Sequence, residues 1–165
     1  MDFDDYVRTR GPGLVRLGRL LTGDRHQGED LVQDVLARAF VRWERIAADG
    51  QPDAYLRRAL VNASISRWRR PSSREVAVAA PEDTADPMDL GDAAAERDAA
   101  WRLIRGLPAK QRAAVVLRYY EDLDDAAIAV LLNCSQPTVR SQVKRALDTL
   151  RTRLEPDRAL NGGRA

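Results

Sequence analysis

Residues 71 to about 95 constrain the fold more than any other stretch. They contain Pro71, Pro81 and Pro87, a scatter of alanines and acids, and no apolar set recurring at a helical or strand period. Such a segment is expected to be a flexible linker. It divides the 165 residues into two periodic pieces of about seventy residues each. Pieces of that size bury only modest cores, so small helical bundles fit better than a large sheet. Aromatic residues make up 5% of the chain, and Ala, Leu, Val and Arg dominate, a helix-forming vocabulary. The expected fold is all-α, with two small helical domains and no strand.

The first piece reads as three helical stretches. Phe3, Tyr6, Val7, Leu14, Leu17, Leu20 and Leu21 recur at three- and four-residue steps. Gly11-Pro12-Gly13 interrupts them, and a kink or break between two helices is expected there. A second stretch, from about Gln27 to Ile46, carries Leu31, Val35, Leu36, Phe40, Trp43 and Ile46 on one face. Ala47 to Gln51 reads as a turn. A third helix opens at Pro52-Asp53 and runs to Trp68, where Arg67-Trp68-Arg69-Arg70 precedes Pro71. Trp43 and Trp101 are assigned to cores.

The second piece starts near Ala95, with Trp101, Ile104 and Leu107 on one helix. Pro108 opens the next. A turn at Glu121-Asp122-Leu123 leads to a short apolar helix, roughly Asp124 to Leu132. Asn133-Cys134-Ser135 makes a tight polar turn, and a long helix follows to about Leu154. Ser135 is placed as its N-cap and Pro137 lies in its first turn. Val139, Val143, Leu147, Leu150 and Leu154 form its apolar stripe. The other side presents Thr138, Arg140, Ser141, Lys144 and Arg145, concentrated in the N-terminal half. That is the part of a recognition helix that enters the major groove. Arg can bind guanine bidentately or hold a phosphate, and Thr, Ser and Lys can reach phosphates or base edges. A solvated basic face of a plain helical hairpin would show the same charges. The turn, the cap and the placement of the charges together favour a helix-turn-helix.

Charge is distributed to match. Residues 1–70 carry 13 basic and 10 acidic side chains, residues 71–98 carry 2 and 8, and residues 99–165 carry 12 and 7. Two basic blocks thus flank an acidic one, as suits two nucleic-acid-facing modules joined by a connector that avoids DNA. Arg far outnumbers Lys; this favours phosphate binding, although a GC-rich genome produces the same bias. The single Cys134 excludes an intramolecular disulfide and a cysteine-based zinc site, and a redox role for it has no support. His26 has no candidate metal partner. No metal site and no cofactor are expected. The acidic start is not followed by an apolar signal core and no apolar run approaches membrane-spanning length. A cytoplasmic protein without membrane insertion, monomeric when free, is expected.

Four segments carry a resemblance. Residues 132–146, from Leu132-Asn133-Cys134-Ser135 through Arg145-Ala146, resemble the last region of sigma factors, which reads the upstream, minus-thirty-five promoter element. Gly106-Leu107-Pro108-Ala109-Lys110-Gln111-Arg112 is similar to the opening of that region. Glu29-Asp30-Leu31-Val32-Gln33-Asp34-Val35 resembles the segment that docks on RNA polymerase. Asp53 to Ala63 resembles the segment that melts and reads the minus-ten element. The whole resembles the extracytoplasmic-function (ECF) type of sigma-70 sigma factor, and Phe3 to Val7 with Trp68-Arg69-Arg70 resemble an actinobacterial subgroup, the SigE family.

That resemblance implies domains at 1–70 (core polymerase and minus-ten binding) and 96–156 (helix-turn-helix), with a linker at 71–95 and a flexible tail at 157–165. It implies that Glu29, Asp30, Gln33 and Asp34 meet a basic clamp of the polymerase. It implies that the 47–53 loop, Tyr55, Arg58, Asn62, Trp68 and Arg69 handle the minus-ten strand, where stacking and a basic track suit single-stranded DNA. Simple core packing is the competing reading for Tyr55, and an exposed polar position for Asn62. Implied partners are core RNA polymerase, promoter DNA and an anti-sigma factor; no enzymatic activity is implied. Asn133 stands where the family has a turn glycine, and Asn tolerates the left-handed conformation. Asp124-Asp125-Ala126-Ala127-Ile128 departs from the family's early acidic residue, and a weakened cap or polymerase contact is expected. The alternative is a helix-turn-helix regulator of the two-component or quorum-sensing type, which would lack the first module.

Overall fold

A computed structural model describes residues 1–68 and 92–161, with side chains for residues 1–67 and 99–154. The body of the expected linker, 71–91, and Arg69 lie outside the described residues. The chain divides into two units, each described by itself. Every described element is helical.

In the first unit, α1 spans Phe3–Thr22, α2 Arg25–Val41, α3 Trp43–Ala48 and α4 Pro52–Trp68. Asp2 caps α1 by accepting from the Asp5 N–H at 2.8 Å, and Gly23 closes it in the left-handed region at φ 69°. The expected break at Gly11-Pro12-Gly13 does not occur: α1 is continuous through Pro12. Pro12 removes one hydrogen bond at an exposed point, while Tyr6 before it and Leu14, Leu17 and Leu21 after it are all buried. Packing thus overrides local propensity.

The expected Gln27–Ile46 helix is instead two helices. Arg42 leaves the helical region (φ −116°, ψ 14°), and its N–H turns back to Ala39 O at 3.0 Å. The break changes which residues face inward. Ala39 is buried and Phe40, expected inside, is 63% exposed. Trp43 and Ile46 reach the core from α3. Trp43 meets Phe3 and Tyr6 with ring centroids 5.3 and 5.0 Å away, and its Nε1 donates to Met1 O at 3.3 Å. The turn is also shorter than expected, since Ala47 and Ala48 belong to α3.

The crossing of α1 and α2 is set by two glycines. A Cβ on Gly18 would stand 2.8 Å from Gly28 O, and one on Gly28 would stand 2.6 Å from Arg19 N. Neither position has room for a methyl group. Leu56, Leu60 and Val61 of α4 complete the core.

In the second unit, α5 spans Asp92–Arg105, α6 Ala109–Val115, a π-helical segment Val116–Tyr120, α7 Asp125–Leu132 and α8 Gln136–Asn161. Helix runs past two of the expected bounds. Residues 92–95, assigned to the linker, are helical, as the run Ala93-Ala94-Ala95 favours. Residues 157–161, assigned to a flexible tail, continue α8, where Arg158, Ala159 and Leu160 are good helix formers. Leu107, Val115 and Ala146 form a core with Leu150 against it. Trp101, assigned to the core, is half-buried under the Arg105 guanidinium, 5.1 Å from the ring centroid. Arg112 is buried; its Nη1 donates to Arg105 O at 2.9 Å. Burial lowers its pKa to about 10, which leaves it charged at neutral pH. Arg153 donates to Gly106 O at 3.1 Å, tying α8 to the end of α5.

Candidate nucleic-acid interface

The helix-turn-helix is built as its sequence requires. Asp124 caps α7 by accepting from the Ala127 N–H at 2.8 Å. The weakened cap expected in this segment is therefore not found; an aspartate one step earlier supplies it. Asn133 ends α7 in the left-handed region (φ 51°, ψ 53°), and the Cys134 N–H returns to Ala129 O at 3.0 Å. Cys134 is half-buried in the turn. Ser135 Oγ accepts from the Thr138 N–H at 3.3 Å and shares a 2.8 Å hydrogen bond with the Thr138 hydroxyl.

Val139, Val143 and Ala146 of α8 are buried, as are Ile128 and Ala129 of α7. The stripe expected through Leu147 and Leu154 is corrected: Ala146 replaces Leu147, which is half-buried, and Leu154 is exposed. At 3.6 residues per turn, 139, 143, 146 and 150 stay in line while 147 and 154 drift off it. On the other side Thr138, Arg140, Ser141, Lys144 and Arg145 are all exposed. The Thr138 hydroxyl is already engaged in the cap. Arg140 Nη1 lies 3.5 Å from Asp125 Oδ2, and Asp125 Oδ1 contacts Arg118 Nη2 on the π-helical segment. These three side chains line a cleft of about 430 Å³ with Val143, Lys144 and Leu147.

In the first unit, Asp30, Gln33 and Asp34 are exposed on α2. Glu29 is held apart from them. Its Oε1 accepts from Arg19 Nη2 at 2.7 Å and from Arg25 Nε at 3.4 Å. The hydrogen bond from Arg19 first, and that from Arg25 with both positive charges, hold its carboxyl below the usual range. The Glu29 carboxylate is thus tied within its own bundle. Phe40 and Val41 stand exposed at the end of the same helix.

Tyr55, Arg58 and Asn62 lie along one exposed face of α4, with Tyr55 44% exposed, which removes core packing as its role. Trp68 is the last residue of α4, with its side chain outside the described residues. Asp53 accepts from the Tyr6 hydroxyl at 3.1 Å and pairs with Arg57 at 3.1 Å. Arg67 donates to Gln27 O at 3.0 Å. Among the described residues, no group of three or more His, Cys, Asp or Glu is placed to hold a metal ion.

Two arrangements carry no sequence signal: the Tyr6–Asp53 bond, where Tyr6 shows only as part of an apolar face, and the Asp125 pairs with Arg118 and Arg140. No spacing rule links 6 to 53 or 118 to 125 and 140, since these pairs meet only through the fold.

Residues 6–74 match the model of sigma-70 region 2, and residues 97–150 match that of sigma-70 region 4. The chain is 38% identical over 155 residues to an RNA polymerase sigma-E factor of Streptomyces coelicolor, covering 93% of this chain and 86% of that one. It is 37% identical to that of Streptomyces avermitilis, covering 94% and 86%. It is 26% identical to the ECF sigma factor SigW of Bacillus subtilis, covering 92% and 88%. Among solved structures it is similar to the sigma factor RpoE in complex with the anti-sigma factor NepR from Bartonella quintana. There the TM-score is 0.65 at 26% identity, covering 95% of this chain and 99% of that one. Two helical modules, one matching region 2 and the other region 4, define a promoter-recognition factor. The chain belongs to the ECF branch of the sigma-70 family of RNA polymerase sigma factors. The alternative of a two-component or quorum-sensing regulator offers no counterpart to the region 2 module.

Proposed function

We propose that this sigma factor divides its work between the two units, with bounds near 1–70 and 96–156. The exposed acidic face of α2, carried by Asp30, Gln33 and Asp34 with Glu29 as its buttressed edge, meets a basic element of core RNA polymerase. Tyr55, Arg58 and Asn62, continued by Trp68 and Arg69, take the unpaired minus-ten strand. Thr138, Arg140, Ser141, Lys144 and Arg145 address the upstream element from the major groove, Arg140 to base edges and Lys144 or Arg145 to phosphate. The factor acts in the cytoplasm and binds an anti-sigma factor, by likeness to the sigma factor RpoE solved in complex with the anti-sigma factor NepR.

The observation that carries this reading is the division of α8. Among its described side chains the buried ones are all small or apolar, and the five polar or basic positions in its N-terminal half are all exposed. Run-off transcription by core polymerase plus this protein, on a library of promoters, tests it. Specific start sites with a shared upstream and minus-ten pattern are expected. Transcripts that are independent of the added protein would refute it.

A further inference from the structure

We propose that Asp125 is a specificity-determining positioning residue: it fixes the direction in which Arg140 presents its guanidinium to the upstream element. The inference rests on the reading of Arg140 as a base-contacting side chain.

Each oxygen of the Asp125 carboxylate takes one arginine, Oδ1 the Arg118 Nη2 and Oδ2 the Arg140 Nη1 at 3.5 Å. The three residues come from three elements. Arg118 is on the π-helical segment, Asp125 in the first turn of α7, and Arg140 early on α8. The carboxylate is 22% exposed and sits in the cleft over Val143 and Leu147, whereas the Arg140 side chain is 58% exposed. One end of the pair is therefore anchored and the other faces outward. A guanidinium is a planar fork of five N–H donors. With one terminal nitrogen drawn to Asp125 at 3.5 Å, the remaining donors are biased toward one direction, which favours a bidentate contact to a base.

Arg118 answers the electrostatic objection. A lone carboxylate beside DNA would repel the phosphates and weaken binding to every sequence. Shared between two arginines, the group carries a net positive charge. Asp125 can then restrain Arg140 without a general penalty on DNA binding.

The test is promoter binding by holoenzyme assembled from core polymerase and the full chain, on promoters randomised across the upstream element. Arg140→Ala should flatten the preference at one position. Asp125→Asn keeps the shape and removes the charge. It should lower the preference at that same position about twofold to fivefold, the scale of a half-exposed ion pair, with little change elsewhere. In the Arg140→Ala background, Asp125→Asn should add nothing; with Arg140 in place, Asp125→Glu should retain part of the preference that Asp125→Asn loses. Melting temperatures of each variant register loss of fold. If Asp125→Asn changes all sequences alike, or its effect persists without Arg140, the positioning role is overturned. If Arg140→Ala flattens no position, the base-contact reading falls and the inference with it. If Arg140→Ala flattens one position and Asp125→Asn does not, only the inference falls.

Discussion

The Tyr6 hydroxyl donates to Asp53 Oδ1 at 3.1 Å, joining the first turns of α1 and α4 across 47 positions of chain. Asp53 lies two residues past the Asp49-Gly50-Gln51 turn and two before exposed Tyr55. The bond therefore anchors the segment proposed to hold the minus-ten strand. Tyr6→Phe should cost about 1 kcal/mol in a urea titration, because Asp53 keeps its Arg57 partner. Burial, followed by the Asp53 charge, raises the Tyr6 pKa above its ordinary value. A raised folded pKa means stability that is complete below the unfolded value of about 10 and lost above it. The wild type should thus lose more stability than Tyr6→Phe above about pH 10.

Gly28→Ala should destabilise the first unit by about 1–3 kcal/mol, because the new methyl would meet the α1 backbone. Gly13→Ala, in the same bundle but facing open space, should be neutral or stabilising by about 0.5–1 kcal/mol. Equal losses in the two variants would show that helix crossing is not limited at Gly28.

Glu29 gives a pH dependence of the opposite sign. Its folded pKa is depressed, so its contribution is present above the unfolded value of about 4.3 and lost as pH falls through the folded value. The stability gap between wild type and Glu29→Gln should narrow as pH drops below about 4.3. At neutral pH the gap should stay under about 1 kcal/mol, since the group is partly exposed and screened. A gap that is constant from pH 7 to 3 would contradict the Arg19 pairing.

Asp34→Arg reverses a charge on an exposed position, so the far-ultraviolet circular dichroism should not change. Affinity for core polymerase should fall by about 2 kcal/mol or more if this face meets a basic surface. Pull-down at increasing variant concentration measures it, and wild-type affinity would remove α2 from the interface.

Lys144→Ala should weaken holoenzyme binding to matched and mismatched upstream elements alike and reduce the salt slope by about one unit. A change in preference with an unchanged slope would make Lys144 a base contact instead.

The helix-turn-helix was legible because its signals are local. Ser135, Pro137 and the Val139–Val143 spacing each act within one turn of helix, and Asn133 is among the few residues that accept the conformation found there. The exposed faces of α2 and α4 were legible for the same reason. What escaped depends on distant partners. Pro12 reads as a helix breaker until the residues on both sides of it are seen to be buried. Phe40 reads as core until Arg42 turns the chain. Asp125 has no local signature of its role, because Arg118 reaches it from a segment whose register no 3.6-residue period describes.

That segment has a consequence of its own. Between Val116 and Tyr120 the Glu121 N–H bonds Val116 O, five residues back, at 3.1 Å. The wider turn holds one residue more than an α-helical turn would. Removing one residue would turn everything after it by about 100° around the helix axis, carrying Arg118 away from Asp125. Replacing exposed Tyr119 or Tyr120 would move nothing. Natural variants of this chain should therefore differ freely in the letters of 119–120 and hardly ever in their number, because what the segment stores is a phase, kept by counting residues.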